Sequence, residues 1–148
     1  MSITEQVQKD MTVAMKARDR RRTTALRMIL SALQLAAKEA GGGFGEKEEL
    51  AVLAAEKKRR LQAAEAFRDG GRQDRAAAEK AEAELIDTYL PAGLEDEQLK
   101  AIIREAISET GAAGMADMGR VMKVAMERVA ARADGKVVSE MAREALSG

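Results

Sequence analysis

One proline in 148 residues is the strongest constraint on what this chain can fold into. Proline lacks an amide hydrogen and biases the residue before it away from helix. The stretch Leu85-Ile86-Asp87-Thr88-Tyr89-Leu90-Pro91-Ala92-Gly93-Leu94, which also holds the only tyrosine, is therefore where a helical run stops and a joint forms. Elsewhere Ala, Leu, Met, Lys, Arg and Glu dominate, all good helix formers, and β-branched runs of strand length are absent. Aromatic residues make up 2% of the chain, so the core has to be aliphatic, with nine Met among its candidates. The expectation is an all-α fold. An N-terminal helical domain, residues 1–91, holds a helical hairpin and longer helices, and Pro91 joins it to a small three-helix C-terminal domain, residues 92–148.

The charge balance excludes several classes of function. Lys+Arg and Asp+Glu stand at 25 each, so no bulk field draws the protein onto nucleic acid or an anionic membrane, and any such contact needs a local patch. There is no cysteine for thiol chemistry or thiolate zinc sites, and no histidine to serve as metal ligand or general base. Met1-Ser2-Ile3-Thr4-Glu5-Gln6 lacks the basic start of a signal peptide, and no apolar run is long enough to span a bilayer. The expectation is a cytoplasmic protein with no cofactor, no metal and no membrane contact.

Seven helices can be read in order. Ser2-Ile3-Thr4-Glu5 fits a capping box for a helix over Ile3–Ala17, with Ile3, Val7, Met11, Ala14 and Met15 on its stripe. Asp19 caps a second helix, Arg20–Ala40, which buries Leu26, Ile29, Leu30, Leu33 and Ala37 and ends at Gly41-Gly42-Gly43. These two make the hairpin. A third helix starts with Glu46, Glu48 and Glu49 on the positive end of its dipole and buries Leu50, Leu53, Leu61, Ala64 and Phe67 before Gly70-Gly71. Its Lys57-Lys58-Arg59-Arg60 run is read as packing plus pairing with Glu56 and Glu65. The fourth, Gln73–Tyr89, is nearly all alanine and charge and reads as a partly exposed strut. Past Pro91, a fifth helix is capped by Glu95 or Asp96 and carries Leu99, Ile102, Ile103 and Ala106. Asp117 caps a sixth, Met118–Ala131, and Asp134 a seventh with Val137, Val138, Met141, Ala142, Ala145 and Leu146. Met115, Met118, Met122 and Met126 are placed in the core of that last trio.

Candidate chemistry is sparse. Pairs such as Glu48 and Glu49, or Glu82 and Glu84, read as helix surface, and Gly41-Gly42-Gly43-Phe44-Gly45 lacks the lysine and hydroxyl of a P-loop. Catalysis is not expected of the chain by itself. A basic cluster, Arg18, Arg20, Arg21, Arg22 and Arg27, stands against the single acid Asp19. It suits phosphate or an acidic partner, or else forms a solvated helix start paired with acids of neighbouring helices.

The segment Lys58-Arg59-Arg60-Leu61-Gln62-Ala63-Ala64-Glu65-Ala66-Phe67-Arg68-Asp69-Gly70-Gly71-Arg72-Gln73-Asp74, followed by Glu79, Glu82 and Tyr89-Leu90-Pro91, resembles the free-standing YqeY-like proteins of the GatB/YqeY-domain family. So do Asp117-Met118-Gly119-Arg120-Val121-Met122 and Arg132-Ala133-Asp134-Gly135-Lys136-Val137-Val138. The resemblance implies that residues 92–148 are similar to the tail of the GatB subunit of the Glu-tRNA(Gln)/Asp-tRNA(Asn) amidotransferases, with nothing resembling the catalytic cradle. It thus implies transfer-RNA binding or association with amidotransferase subunits, without amide transfer. The RNA site it suggests is Gly119, Arg120, Lys123, Arg132 and Lys136. The family commonly has glycine where Lys123 stands and Lys-Gly where Ala130-Ala131 stand. Two alternatives remain open: a protein–protein adaptor that never touches RNA, and, by family label only, a carbon–nitrogen ligase with glutamine as amido donor.

Overall fold

The computed structural model describes residues 1–148. Seven α-helices and two short 3₁₀ turns account for its regular structure: α1 (Ile3–Lys16), α2 (Arg20–Ala40), α3 (Glu46–Asp69), α4 (Gln73–Asp87), α5 (Asp96–Thr110), α6 (Met118–Val129) and α7 (Gly135–Ser147). The chain divides into two compact units, Met1–Leu90 and Pro91–Gly148. No helix is long and apolar enough to cross a membrane.

In the N-terminal unit, Ser2 Oγ accepts the Glu5 amide at 3.1 Å and Glu5 Oε2 accepts the Ser2 amide at 2.8 Å, so the start of α1 has its capping box. Val7 and Ala14 of α1, Leu26, Ile29, Leu30 and Leu33 of α2, Leu53 of α3 and Ile86 of α4 form one buried cluster. Each of its larger side chains contributes about 2 kcal/mol relative to remaining exposed. Ala37, Leu50, Ala64 and Phe67, expected on the stripes, are outside it and partly buried, and Met15 and Leu61 are exposed.

That α3–α4 pairing is the most extensive in the molecule. Alanine lets the two helices approach closely; α4 is partly exposed, as expected, but it also buries Ala76, Ala83 and Ile86 and so packs more than a bare strut would. Arg60 lies between them, 3.6 Å from Glu56, 3.8 Å from Glu79 and 3.3 Å from Glu82. Lys57 pairs with Asp87 at 2.6 Å. The acids that hold this basic run therefore include Glu79, Glu82 and Asp87 of α4. Glu65, expected as a partner, is exposed: it follows Arg60 by five residues, beyond the i,i+4 spacing at which helix side chains meet. Helix α4 ends at Asp87, three residues short of Leu90. Thr88 Oγ1 donates to the Leu85 carbonyl at 2.6 Å and closes the turn. Tyr89 reaches back to α1, its hydroxyl donating to Asp10 at 2.5 Å.

The C-terminal unit buries Leu99, Ile103 and Ala106 of α5, Val121, Ala125 and Val129 of α6, and Val138 and Ala142 of α7. Gln98 Oε1 accepts the Glu95 amide at 3.0 Å, so the start of α5 is closed by Gln98. Asp134 Oδ1 caps α7 through the Lys136 amide at 3.0 Å. Met118, Met122 and Met126 pack against the core, while Met115, Val137 and Ala145 are exposed. Met115 sits in a 3₁₀ turn, Met115–Asp117, that sequence periodicity does not reveal. Helix α6 stops at Val129, two residues early, and passes into a second 3₁₀ turn, Ala130–Arg132, with Ala130 at φ 50°.

Candidate nucleic-acid interface

The tail residues named from sequence start from the local build of α6 and α7. Gly119 and Arg120 lie in the first turn of α6 and Lys123 in the next, all exposed. A methyl added at Gly119 would meet nothing within 4 Å, so its backbone is open to solvent. Asp117 does not cap this helix through its side chain as expected. One carboxylate oxygen accepts the Ala113 amide at 3.0 Å and the other takes the Arg120 guanidinium. Those two bonds, the backbone amide first and the arginine second, hold its carboxyl below the usual carboxylate range. Arg120 also donates to the Thr110 carbonyl at 3.1 Å, tying the start of α6 to the end of α5.

Arg132 is tied through one nitrogen to a neutral carbonyl. Its Nε donates to the Ala92 carbonyl at 3.2 Å, and its own carbonyl accepts the Leu94 amide at 2.9 Å. Arg128, on the edge of the same face of α6, is clamped to Glu105 and Glu109 of α5. Of the five tail candidates, only Lys123 and Lys136 keep exposed side chains that no ion pair or hydrogen bond holds.

The second cluster is built differently. Helix α1 ends in a Schellman motif: the Asp19 amide donates to the Ala14 carbonyl and the Arg18 amide to Met15, each at 3.0 Å. The left-handed residue of that motif is Arg18, at φ 57°. Asp19 then caps α2, its Oδ1 accepting the Arg22 amide at 3.1 Å and its carbonyl accepting the Thr23 hydroxyl at 2.7 Å. The only acid of the turn is thereby committed to backbone groups. Arg18, Arg20, Arg21 and Arg27 are exposed and take no ion pair. No ion pair joins these arginines to neighbouring acids; the charge of Arg22 acts on the Tyr89 phenol, opposing its upward shift.

One buried acid was invisible from sequence. Glu49, read as helix surface, is 3% exposed, and its Oε2 accepts both the amide and the hydroxyl of Thr4, each at 2.6 Å. It places a carboxylate on the first turn of α1, satisfying an amide that has no partner within the helix. Its partner lies 45 residues away, so no local pattern could announce it. Glu82, also read as surface, is half-buried. Its carboxyl is pushed up by burial, with the Arg60 charge opposing and Glu79 adding to the rise. This is an interhelical ion-pair clamp, and its acids face an arginine instead of a nucleophile.

The family model described as Yqey-like protein matches residues 4–146. No curated protein matches the chain.

Proposed function

The chain belongs to the YqeY-like family, and from that premise we propose that it is a non-catalytic RNA-binding helical module, with transfer RNA as its ligand. The observation that carries this reading is Lys123 on α6 and Lys136 on α7, exposed and without acids in a chain of zero net charge. A protein that neutralises phosphates needs cations that the fold has not already used. Gly119 adds open backbone one turn before Lys123. The similarity of residues 92–148 to the GatB tail supports transfer RNA as the species, and two of three aromatic residues, Phe44 and Tyr89, pack against the N-terminal core. That leaves backbone contacts in preference to base stacking.

Fluorescence anisotropy of labelled total transfer RNA tests this, at low and moderate salt, beside a variant with Arg120, Lys123, Arg132 and Lys136 changed to Ala. Saturable binding that weakens with salt and is lost in a folded variant is the expected result. No binding by the wild type at low salt overturns the reading and favours an adaptor, whose mark is co-purification of amidotransferase subunits that resists ribonuclease. Turnover dependent on ATP and glutamine by the purified protein would establish the ligase instead.

A further inference from the structure

We infer that the turn between α1 and α2 is a binding surface for the phosphodiester backbone of RNA, with Arg18, Arg20 and Arg27 as its contacts. This rests on the RNA-binding reading above and gives it a second surface, in the N-terminal unit.

The surface is shallow. An open groove of about 590 Å³ is lined by Met15, Arg18, Arg20, Thr23, Thr24 and Arg27. The three guanidinium groups carry no ion pair, and the single acid of the turn is occupied by the Arg22 amide. Arg20 and Arg27 lie seven residues apart on one face of α2, about 10 Å along the axis. All the cations of the groove are arginines, whose planar forks meet phosphate with two parallel hydrogen bonds. The exposed Thr24 offers a hydroxyl donor between them. No aromatic side chain lines the groove, which suits a backbone ligand and not a stacked base.

The backbone supplies an independent argument. The chain ends α2, α3 and α5 with glycine in the left-handed position, Gly41 at φ 69°, Gly71 at φ 78° and Gly111 at φ 64°. After α1 that position is held by Arg18, at φ 57°, a conformation that glycine adopts without strain and arginine does not. Glycine would serve the turn better, so what arginine adds is its guanidinium. Here the strained residue also puts its side chain on the groove, which ties the strain to that side chain.

The test uses the full chain and labelled total transfer RNA, titrated across a salt series. Three variants are compared with the wild type: R20Q/R27Q, R18G and the tail variant K123Q/K136Q. Loss of two phosphate contacts in R20Q/R27Q should weaken binding about tenfold or more and shallow the plot of log affinity against log salt by roughly 1.4–1.8. R18G should shallow it by about half as much while raising the thermal midpoint by about 2–4 °C, opposite effects that a misfolded protein cannot give. If transfer RNA binds the wild type and R20Q/R27Q alike while K123Q/K136Q loses it, the turn is not an RNA surface and the RNA reading stands. Failure of the wild type to bind at low salt overturns both. Binding to phosphatidylserine vesicles that R20Q/R27Q abolishes, with no effect on RNA, assigns the turn to lipid and also overturns the inference.

Discussion

The two basic clusters of this protein carry similar residues and hold their charges in opposite ways. In the C-terminal unit, Arg120 spans Asp117 and Thr110 and Arg132 is tied to Ala92, so these arginines are parts of the fold. In the N-terminal unit, Arg18, Arg20 and Arg27 surround a groove with no acid to neutralise them. The difference comes from where the acids went. Asp117 faces a guanidinium, whereas Asp19 and Glu49 are committed to amides and hydroxyls at helix starts. A count of arginines in a sequence thus says little about how many remain available to a ligand.

The largest effect expected from breaking this contrast is at Glu49. Glu49→Ala leaves the Thr4 amide and hydroxyl without their partner in a part-buried place and should cost the N-terminal unit about 2 kcal/mol in urea unfolding. Glu49→Gln, which keeps an acceptor, should lose clearly less. If the alanine variant unfolds like the wild type, the acid was not needed at the helix start and could have served an arginine.

Next come the arginines themselves. Arg120→Ala and Arg132→Ala should each lower the thermal stability of the C-terminal unit, since each removes a donor that ties two segments. Arg20→Ala and Arg27→Ala should leave unfolding within about 0.5 kcal/mol of the wild type. Equal losses from both pairs would erase the distinction.

A gain of similar size is expected at Ala130, the other residue besides glycine with positive φ. Its methyl group has no ligand to reach, so Ala130→Gly should stabilise the C-terminal unit by about 1 kcal/mol and leave transfer-RNA affinity unchanged. Against R18G, which should trade affinity for stability, this separates strain that serves a side chain from strain that serves nothing.

The smallest effect is at alkaline pH. Burial, and then the bond to Asp10, push the Tyr89 phenol above its ordinary value, with Arg22 opposing. The folded state favours the protonated phenol, so this contribution is complete below about pH 10 and fades as pH rises from there through the higher folded value. Tyr89→Phe should be less stable than the wild type at pH 8, and the gap should narrow above pH 10.

Much of the fold was legible because helix ends are written locally. Ser2 with Glu5, Asp19, Asp134 and the glycines 41, 71 and 111 each act within a few residues, and the helix boundaries follow them closely. Asp117 misled because a carboxylate at a helix start looks like a cap whether it bonds forward along its own helix or backward to Ala113. Leu61, Met15 and Val137 misled because periodicity shows which face a residue occupies and not whether another element covers it. The site was less legible still. Both clusters could be named from sequence, but which arginines stay unpaired depends on Thr110, Ala92 and Asp19, set by tertiary packing. The left-handed Arg18 did leave a trace: two residues, Arg18 and Asp19, separate long helical patterns, and such a reversal needs one residue of positive φ.

With no tryptophan in the chain, the phenol of Tyr89 is the sole source of intrinsic tyrosine fluorescence. Because its hydroxyl is bonded to Asp10 of α1, 79 residues away, that emission reports on one closure within the N-terminal unit. The protein thus carries a built-in optical probe that needs no label. A change in its intensity on adding a ligand would show whether that closure has been disturbed.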